Sequence, residues 1–241
     1  MRGRRHVIFG CSGPVGRGLL RALAERGDEP VGVCRSGMGD VPPGATIERG
    51  DLADRDRAAA LARGADVLHC AIGLPYHRWS ELFPPAIEGL LHAAKKSGAP
   101  VIFTDNLYCY GPRNEALRED MSLTHHGRKP ALRARLVERM MQEHDRGTAR
   151  IALVRASAFV GPGVHDAMLG DVTIGRAVAG KSARVLGDPD QVHTYTYVPD
   201  LVRAQLAVAD DEGALGQAWH VPSPPTRTTR EILRDVFARL G

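Results

Sequence analysis

A chain of 241 residues is long enough for one large domain, or for one domain with a small appended lobe. Its 43% hydrophobic and 25% charged residues exclude global disorder, and no apolar run approaches the roughly 18–20 residues that span a bilayer. The net charge of +4 does not point to nucleic acid: only Lys95, Lys96, Lys129 and Lys181 of the 32 cationic residues are lysine, the arginines are interleaved with carboxylates, and aromatic residues make up only 5%.

The basic start, Met1 to Arg5, is followed by an apolar stretch, His6-Val-Ile-Phe, too short for a signal peptide. Cys11, Cys34, Cys70 and Cys109 contain no C-x-x-C spacing, so no metal site is expected, and free thiols in a reducing cytoplasm are.

Along the chain, apolar runs alternate with amphipathic stretches. Strands are predicted at Arg5–Gly10, Val31–Arg35, Thr46–Glu48, Asp66–Ala71, Pro100–Thr104 and Ala149–Arg155. Helices are predicted between them at Pro14–Arg26, Arg55–Arg63, Pro84–Ser97 and Pro130–Glu143. This β-α alternation predicts an α/β fold with a doubly wound parallel sheet. Beyond Arg155 the pattern loosens. A helix over Asp171–Ala179, short strands near Arg184–Leu186 and Thr194–Tyr197, a helix Leu201–Ala209 capped by Asp200, and a last helix Arg230–Leu240 capped by Thr228 or Thr229 are expected. The aperiodic segment 111–128, rich in charge and histidine, is long for a compact domain and is expected to serve function.

The strongest motif is Gly10-Cys11-Ser12-Gly13-Pro14-Val15-Gly16. It follows the first strand and opens the first helix, the context in which G-x-x-G-x-x-G forms a dinucleotide cradle. Gly10 allows a sharp turn, Gly13 lets the backbone approach a pyrophosphate, and Gly16 lets the helix pack closely. The helix N-terminus then faces the anion. At the end of the second strand, where a carboxylate would hold the ribose diol of NAD, stand Arg35 and Ser36. A guanidinium there suits a 2′-phosphate, which favours NADP over NAD. Asp51, Leu52 and Ala71, past the next two strands, suit adenine and ribose contacts.

These residues, with Tyr110-Gly111-Pro112, Arg155–Gly163 and Tyr197-Val-Pro-Asp200, resemble the extended or atypical short-chain dehydrogenase/reductase superfamily, of the NAD-dependent epimerase/dehydratase type. The resemblance covers nearly the whole chain. It implies a Rossmann-type dinucleotide-binding core over residues 1–156. It also implies a small C-terminal substrate-binding lobe over 157–241, interleaved with the last core elements. Ala156 and Phe159 are implied as further cofactor contacts, and a homodimer through the helices 84–97 and 130–146 as the assembly.

The family's chemistry uses a Ser or Thr with Tyr-x-x-x-Lys, whose tyrosinate is the acid/base and whose lysine lowers the tyrosine's pKa. No Tyr-x-x-x-Lys occurs here. Two registers compete. One puts His125 at the tyrosine position and Lys129 at the lysine position. The other, favoured because Pro130 suits a first helical turn, puts Lys129 and Arg133 there. Asn106 then falls at the Ser/Thr position, able to donate a hydrogen bond but not to shuttle a proton. Tyr108 is a further proton donor to consider, while Tyr76, His77, His125 and His126 fall on loops facing the same sheet edge and Tyr76 and Trp79 are expected to shape a pocket. The leading expectation is an NADP(H)-dependent oxidoreductase acting on a carbonyl or enone of a small, secondary metabolite. The alternatives are a non-redox isomerase, epimerase, dehydratase or cyclase, and an inactive NADP-binding sensor.

Overall fold

The computed structural model describes residues 3–240. In chain order the elements are β1 (Arg5–Phe9), α1 (Pro14–Glu25), β2 (Glu29–Cys34), β3 (Thr46–Arg49), α2 (Arg55–Ala62), β4 (Val67–Cys70), α3 (Trp79–Ser97) and β5 (Val101–Asn106). There follow α4 (Arg128–Asp145), β6 (Ile151–Ala156), β7 (Ala158–Val160), α5 (Arg176–Val178), β8 (Val192–His193), β9 (Tyr195–Tyr197), α6 (Val198–Ala209), β10 (Ala218–His220), β11 (Arg227–Thr228) and α7 (Thr229–Leu240).

Seven strands form one parallel sheet in the order β10-β6-β5-β4-β1-β2-β3. Both faces are covered, which is why the strands read as continuous apolar runs. Alternate residues face opposite layers. Val7 and Phe9 of β1 join Leu90 of α3 and Leu136 of α4 in one core, while Ile8 joins Leu19 of α1 and Leu201 of α6 in the other. Each fully buried side chain of this size contributes about 1.5–3 kcal/mol relative to exposure. On the α1/α6 side the apolar layer is interrupted by His6 and His69, both fully buried, with Nδ1 of the first 3.0 Å from Nε2 of the second.

Several sequence expectations are corrected. α3 begins five residues early, at Trp79, and runs through Pro84 and Pro85. α4 begins at Arg128 behind Gly127, so Pro130 is its third residue rather than its first, still within the turn whose N–H groups lack acceptors. The helix expected over Asp171–Ala179 is a π-helical turn, Asp171–Gly175, leading into α5. No strand forms at Arg184–Leu186, and β8 pairs instead with β11. Asp200 lies in the first turn of α6, not at its cap. Thr228 caps α7 reciprocally with Glu231: Thr228 Oγ1 accepts from Glu231 N and Glu231 Oε2 from Thr228 N. The sheet's seventh strand, β10, was not foreseen.

The strand order reverses between β1 and β4, so a crevice opens at the C-terminal ends of these two strands. No helix among the described residues is long and apolar enough to cross a membrane.

Candidate active site

The loop from β1 to α1 enters this crevice. Gly10 has φ +90°, and a Cβ there would lie 2.6 Å from both the carbonyl carbon and the oxygen of Ala71 at the end of β4. A Cβ on Gly16 would lie 2.3 Å from the Gly10 oxygen, so this glycine lets α1 close on its own loop. A Cβ on Gly13 would meet only the Gly10 and Ala71 oxygens, at 3.5 and 3.9 Å. The first two glycines are therefore required by the chain itself. The third leaves the backbone bare towards the crevice. Gly13 is the N-cap and Pro14 the first residue of α1, leaving first-turn N–H groups to face an anion.

Beside this loop is a cavity of about 230 Å³. Gly10, Ser12, Gly13, Arg35, Asp51 and Leu52 line it, together with Cys34. Sequence reasoning missed further lining residues, among them Gly50, Ile72, Leu74 and Pro85. The first of these had a signal in the Gly50-Asp51 turn, whereas those from α3 and its approach had none. Arg35 is exposed at the cavity's edge and no carboxylate ends β2. Cys11 is buried beneath the loop. Ser36 turns away, its hydroxyl donating to Met38 O at 3.1 Å. Val15, Ala71 and Ala156 are buried around the crevice, and Phe159 on β7 packs partly buried against the α1/α6 core.

At the ends of β4 and β5 the site changes character. Lys129, in the first turn of α4, donates from Nζ to the carbonyl of Tyr76 and lies 4.4 Å from the Tyr76 ring centroid and 5.2 Å from that of Trp79. Tyr108 stands edge-on to Trp79, with centroids 5.5 Å apart, and is 42% exposed. Partial burial, and then its hydrogen bond with Tyr76, push the Tyr108 phenol up to about 12. The phenol is therefore neutral near pH 7. Asn106 Oδ1 accepts from Tyr108 N at 3.0 Å, which leaves its amide Nδ2 to donate outward.

Arg133, one turn beyond Lys129, faces inward. It is 2% exposed, its Nη2 donates to Asp105 Oδ1 at 2.5 Å, and its guanidinium lies 4.7 Å from the Phe83 ring. Asp105 Oδ2 accepts from Arg155 Nε at 2.9 Å. Asp105, Arg155 and His220 are in register on β5, β6 and β10, and Tyr110 OH joins the last two, 2.5 Å from Arg155 Nη1 and 2.8 Å from His220 Nε2. Sequence reasoning missed this buried network. Its signal was a carboxylate closing an apolar strand, with arginines at the matching places on a strand and a helix. His125 lies apart from this group, exposed, with Nε2 3.6 Å from Glu138 Oε1 on the outer side of α4. Among the described residues no group of histidine, cysteine and carboxylate side chains could hold a metal ion.

A doubly wound parallel sheet with a glycine cradle at its reversal point defines a dinucleotide-binding α/β protein. The model of the NAD-dependent epimerase/dehydratase family matches residues 6–221, and the chain belongs to that family. It is 26% identical, over 99% of its own length and 82% of the other's, to a dTDP-4-dehydro-6-deoxy-D-allose reductase of Streptomyces bikiniensis. Among solved structures it superposes on a dTDP-glucose 4,6-dehydratase of Bacillus anthracis in complex with NAD, with TM-score 0.88 and 14% identity over 99% of this chain and 82% of that one. A dTDP-glucose 4,6-dehydratase of Streptomyces venezuelae with NAD bound gives TM-score 0.86 and 19% identity over 98% and 81%. The relatives are sugar-modifying reductases, dehydratases and epimerases.

Proposed function

We propose that the chain is an NADP(H)-dependent oxidoreductase acting on the carbonyl of a small metabolite. A 4-keto sugar, such as the one named for the Streptomyces bikiniensis reductase, is the representative substrate. The observation that carries the NADP assignment is Arg35 at the edge of the ribose cavity, with no carboxylate at the end of β2. Gly10, Ser12, Gly13 and the first turn of α1 would hold the pyrophosphate, Arg35 the 2′-phosphate, Asp51, Leu52 and Ala71 the adenosine, and Ala156 and Phe159 the nicotinamide half. When bound, the dinucleotide exchanges a hydride with the substrate carbon.

The remaining chemistry belongs to the chain. Asn106 Nδ2 polarises the carbonyl oxygen, and the Lys129 ammonium gives the proton that the developing alkoxide needs. The protonated Tyr108 phenol adds a second hydrogen-bond donor. Arg133 and Arg155, bridged by Asp105, hold α4 against β5 and so fix where Lys129 starts.

One observation favours a second reading, a non-redox isomerase, epimerase, dehydratase or cyclase that retains the dinucleotide. Lys129 is engaged with Tyr76, and no tyrosine stands in the first turn of α4.

Calorimetric titration with NADPH and NADH tests the assignment. Arg35→Ala is expected to cost about 1.5–3 kcal/mol of NADPH affinity, the worth of a charge-assisted hydrogen bond, and to leave NADH unmoved. Equal weakening of both would overturn the NADP assignment. Oxidation of NADPH by a panel of ketones supports the redox reading, whereas product formed without net dinucleotide turnover decides for the second.

A further inference from the structure

A lysine that gives its proton to a developing alkoxide must first donate a hydrogen bond to the substrate carbonyl. In the structure the Lys129 ammonium already has a carbonyl. Its Nζ donates to Tyr76 O, and the Tyr76 and Trp79 rings stand beside it at 4.4 and 5.2 Å. That carbonyl belongs to a strap, residues 72–78, which runs from the end of β4 to the start of α3. The first part of the strap is fixed. Ile72, Gly73 and Leu74 line the ribose cavity, and Leu74 O accepts from Trp79 Nε1 at 3.0 Å. The second part is one short helical turn, Tyr76–Arg78, entered through Pro75, and none of its residues is buried. Tyr76 is 53% exposed. Its ring meets only the edges of the site, with centroids 4.9 Å from Trp79 and 6.2 Å from Tyr108. A turn with no buried side chain opens at low cost, so the contact with Lys129 is a large part of what holds it.

We propose that the Tyr76 turn is an autoinhibitory latch on Lys129: its main-chain carbonyl takes the place of the substrate carbonyl on the ammonium, and the substrate must displace it to reach the proton. This inference rests on the role given to Lys129 in the proposed function, and not on the choice between NADP and NAD. The latch acts through populations. Substrate binds the open form, so its apparent affinity is the intrinsic one reduced by the open fraction. The ring face over Lys129 is an exposed cation–π contact, and its loss shifts that balance by about two- to fivefold. Tyr76→Ala removes the ring and leaves the carbonyl on a freer turn. Tyr76→Phe keeps both ring and carbonyl, so it retains the latch.

Two measurements test it. The first needs no substrate: brief acetylation with acetic anhydride, followed by peptide mass spectrometry. Only four lysines can react, and Lys96 and Lys181, both exposed, serve as internal standards. Relative to them, Lys129 should react slowly in the unaltered protein and in Tyr76→Phe, and about two- to fivefold faster in Tyr76→Ala. The second is steady-state reduction, with NADPH, of whichever ketone of the panel is turned over. Tyr76→Ala should lower KM for that ketone by a similar factor with kcat unchanged, and Tyr76→Phe should match the unaltered protein. Equal acetylation of Lys129 in all three proteins would overturn the latch. So would a lower kcat in Tyr76→Ala, which would make Tyr76 a positioning residue for Lys129, or a higher KM, which would make its ring a substrate contact. A panel with no reducible ketone, or a Lys129→Ala variant as fast as the unaltered protein, fails the functional reading instead, and acetylation still decides whether the latch forms.

Discussion

The glycine cradle and the mouth of α4 share one edge of the sheet and are built on opposite terms. The cradle is backbone: Gly10, Gly13 and Gly16 contribute bare N–H and C=O groups, and any side chain at the first or last collides with main chain. The mouth of α4 is side chain: Lys129 above two aromatic rings, and below it Asp105 between two buried guanidiniums. A backbone site admits almost no substitution, so its sequence spacing is fixed by geometry. A side-chain site can be rebuilt whenever its charges balance and its volume is filled. On the proposed function, that is how a family member keeps one half of its site and replaces the other.

The largest effect should come from unbalancing the rebuilt half. Asp105→Asn leaves Arg133 and Arg155 facing each other without an anion, and breaking a buried pair this way costs about 3–5 kcal/mol. Urea unfolding measures it. A loss below about 1 kcal/mol, the scale of an exposed pair, would mean that water already screens these guanidiniums and that the mouth of α4 is not the rigid platform described.

Lys129→Ala should be next. If Lys129 is the proton donor, kcat falls by about 10²–10⁴, the ordinary worth of a general acid, while NADPH affinity stays within error. Lys129→Arg should not rescue, because a guanidinium does not release its proton at neutral pH. His125→Ala should be silent. The opposite pattern, a lethal His125→Ala and a tolerated Lys129→Ala, would reinstate the other register.

The same contrast explains what could be seen in the sequence. The alternation of strands and helices was legible because both faces of a parallel sheet are buried, which concentrates apolar residues into runs. β10 escaped because Ala218-Trp219-His220 is a short edge strand with no apolar run and a half-exposed tryptophan. The start of α3 was misplaced because Pro84 and Pro85 resemble a helix start, although the helix accommodates both within its early turns. The cradle was legible because its glycines are local to one turn. The Asp105 network was not, since its arginines stand 28 and 50 residues away and only the folded register brings them together. The inward turn of Arg133 could not be foreseen without its partner.

Smaller, and confined to the cradle, is a pair of glycine substitutions. Gly10→Ala forces a side chain into the Ala71 carbonyl at positive φ and should cost about 1–3 kcal/mol of stability, the range for overpacking, as well as dinucleotide binding. Gly13→Ala meets only ordinary contacts within the chain. It should keep its unfolding midpoint and still lose affinity, because the methyl group occupies the approach to the pyrophosphate. Retained NADPH binding in Gly13→Ala, measured by calorimetry, would remove this glycine from the cradle.

More gradual than any substitution is a pH dependence that neither half of the site controls. Burial lowers His6 to about 4 and His69 to about 3, each also depressed by nearby arginines, while Asp28 acts in the opposite sense on His6. In the unfolded chain both imidazoles titrate near 6.5, so below that pH the unfolded state binds more protons than the fold. Stability is therefore complete above about pH 6.5 and is lost as pH falls towards the folded values. Its limiting slope is about 1.4 kcal/mol per pH unit for each imidazole. Urea midpoints taken between about pH 7 and pH 5 should show the loss, and a His6→Val, His69→Val double variant should flatten it. An unchanged slope in that variant would move the acid sensitivity elsewhere. Glu143 is the next group to examine: hydrogen bonds from Lys95, Thr148 and Arg139 hold its carboxyl down at about 2, so its contribution is full above the ordinary carboxylate pKa and is lost as pH falls from there towards about 2.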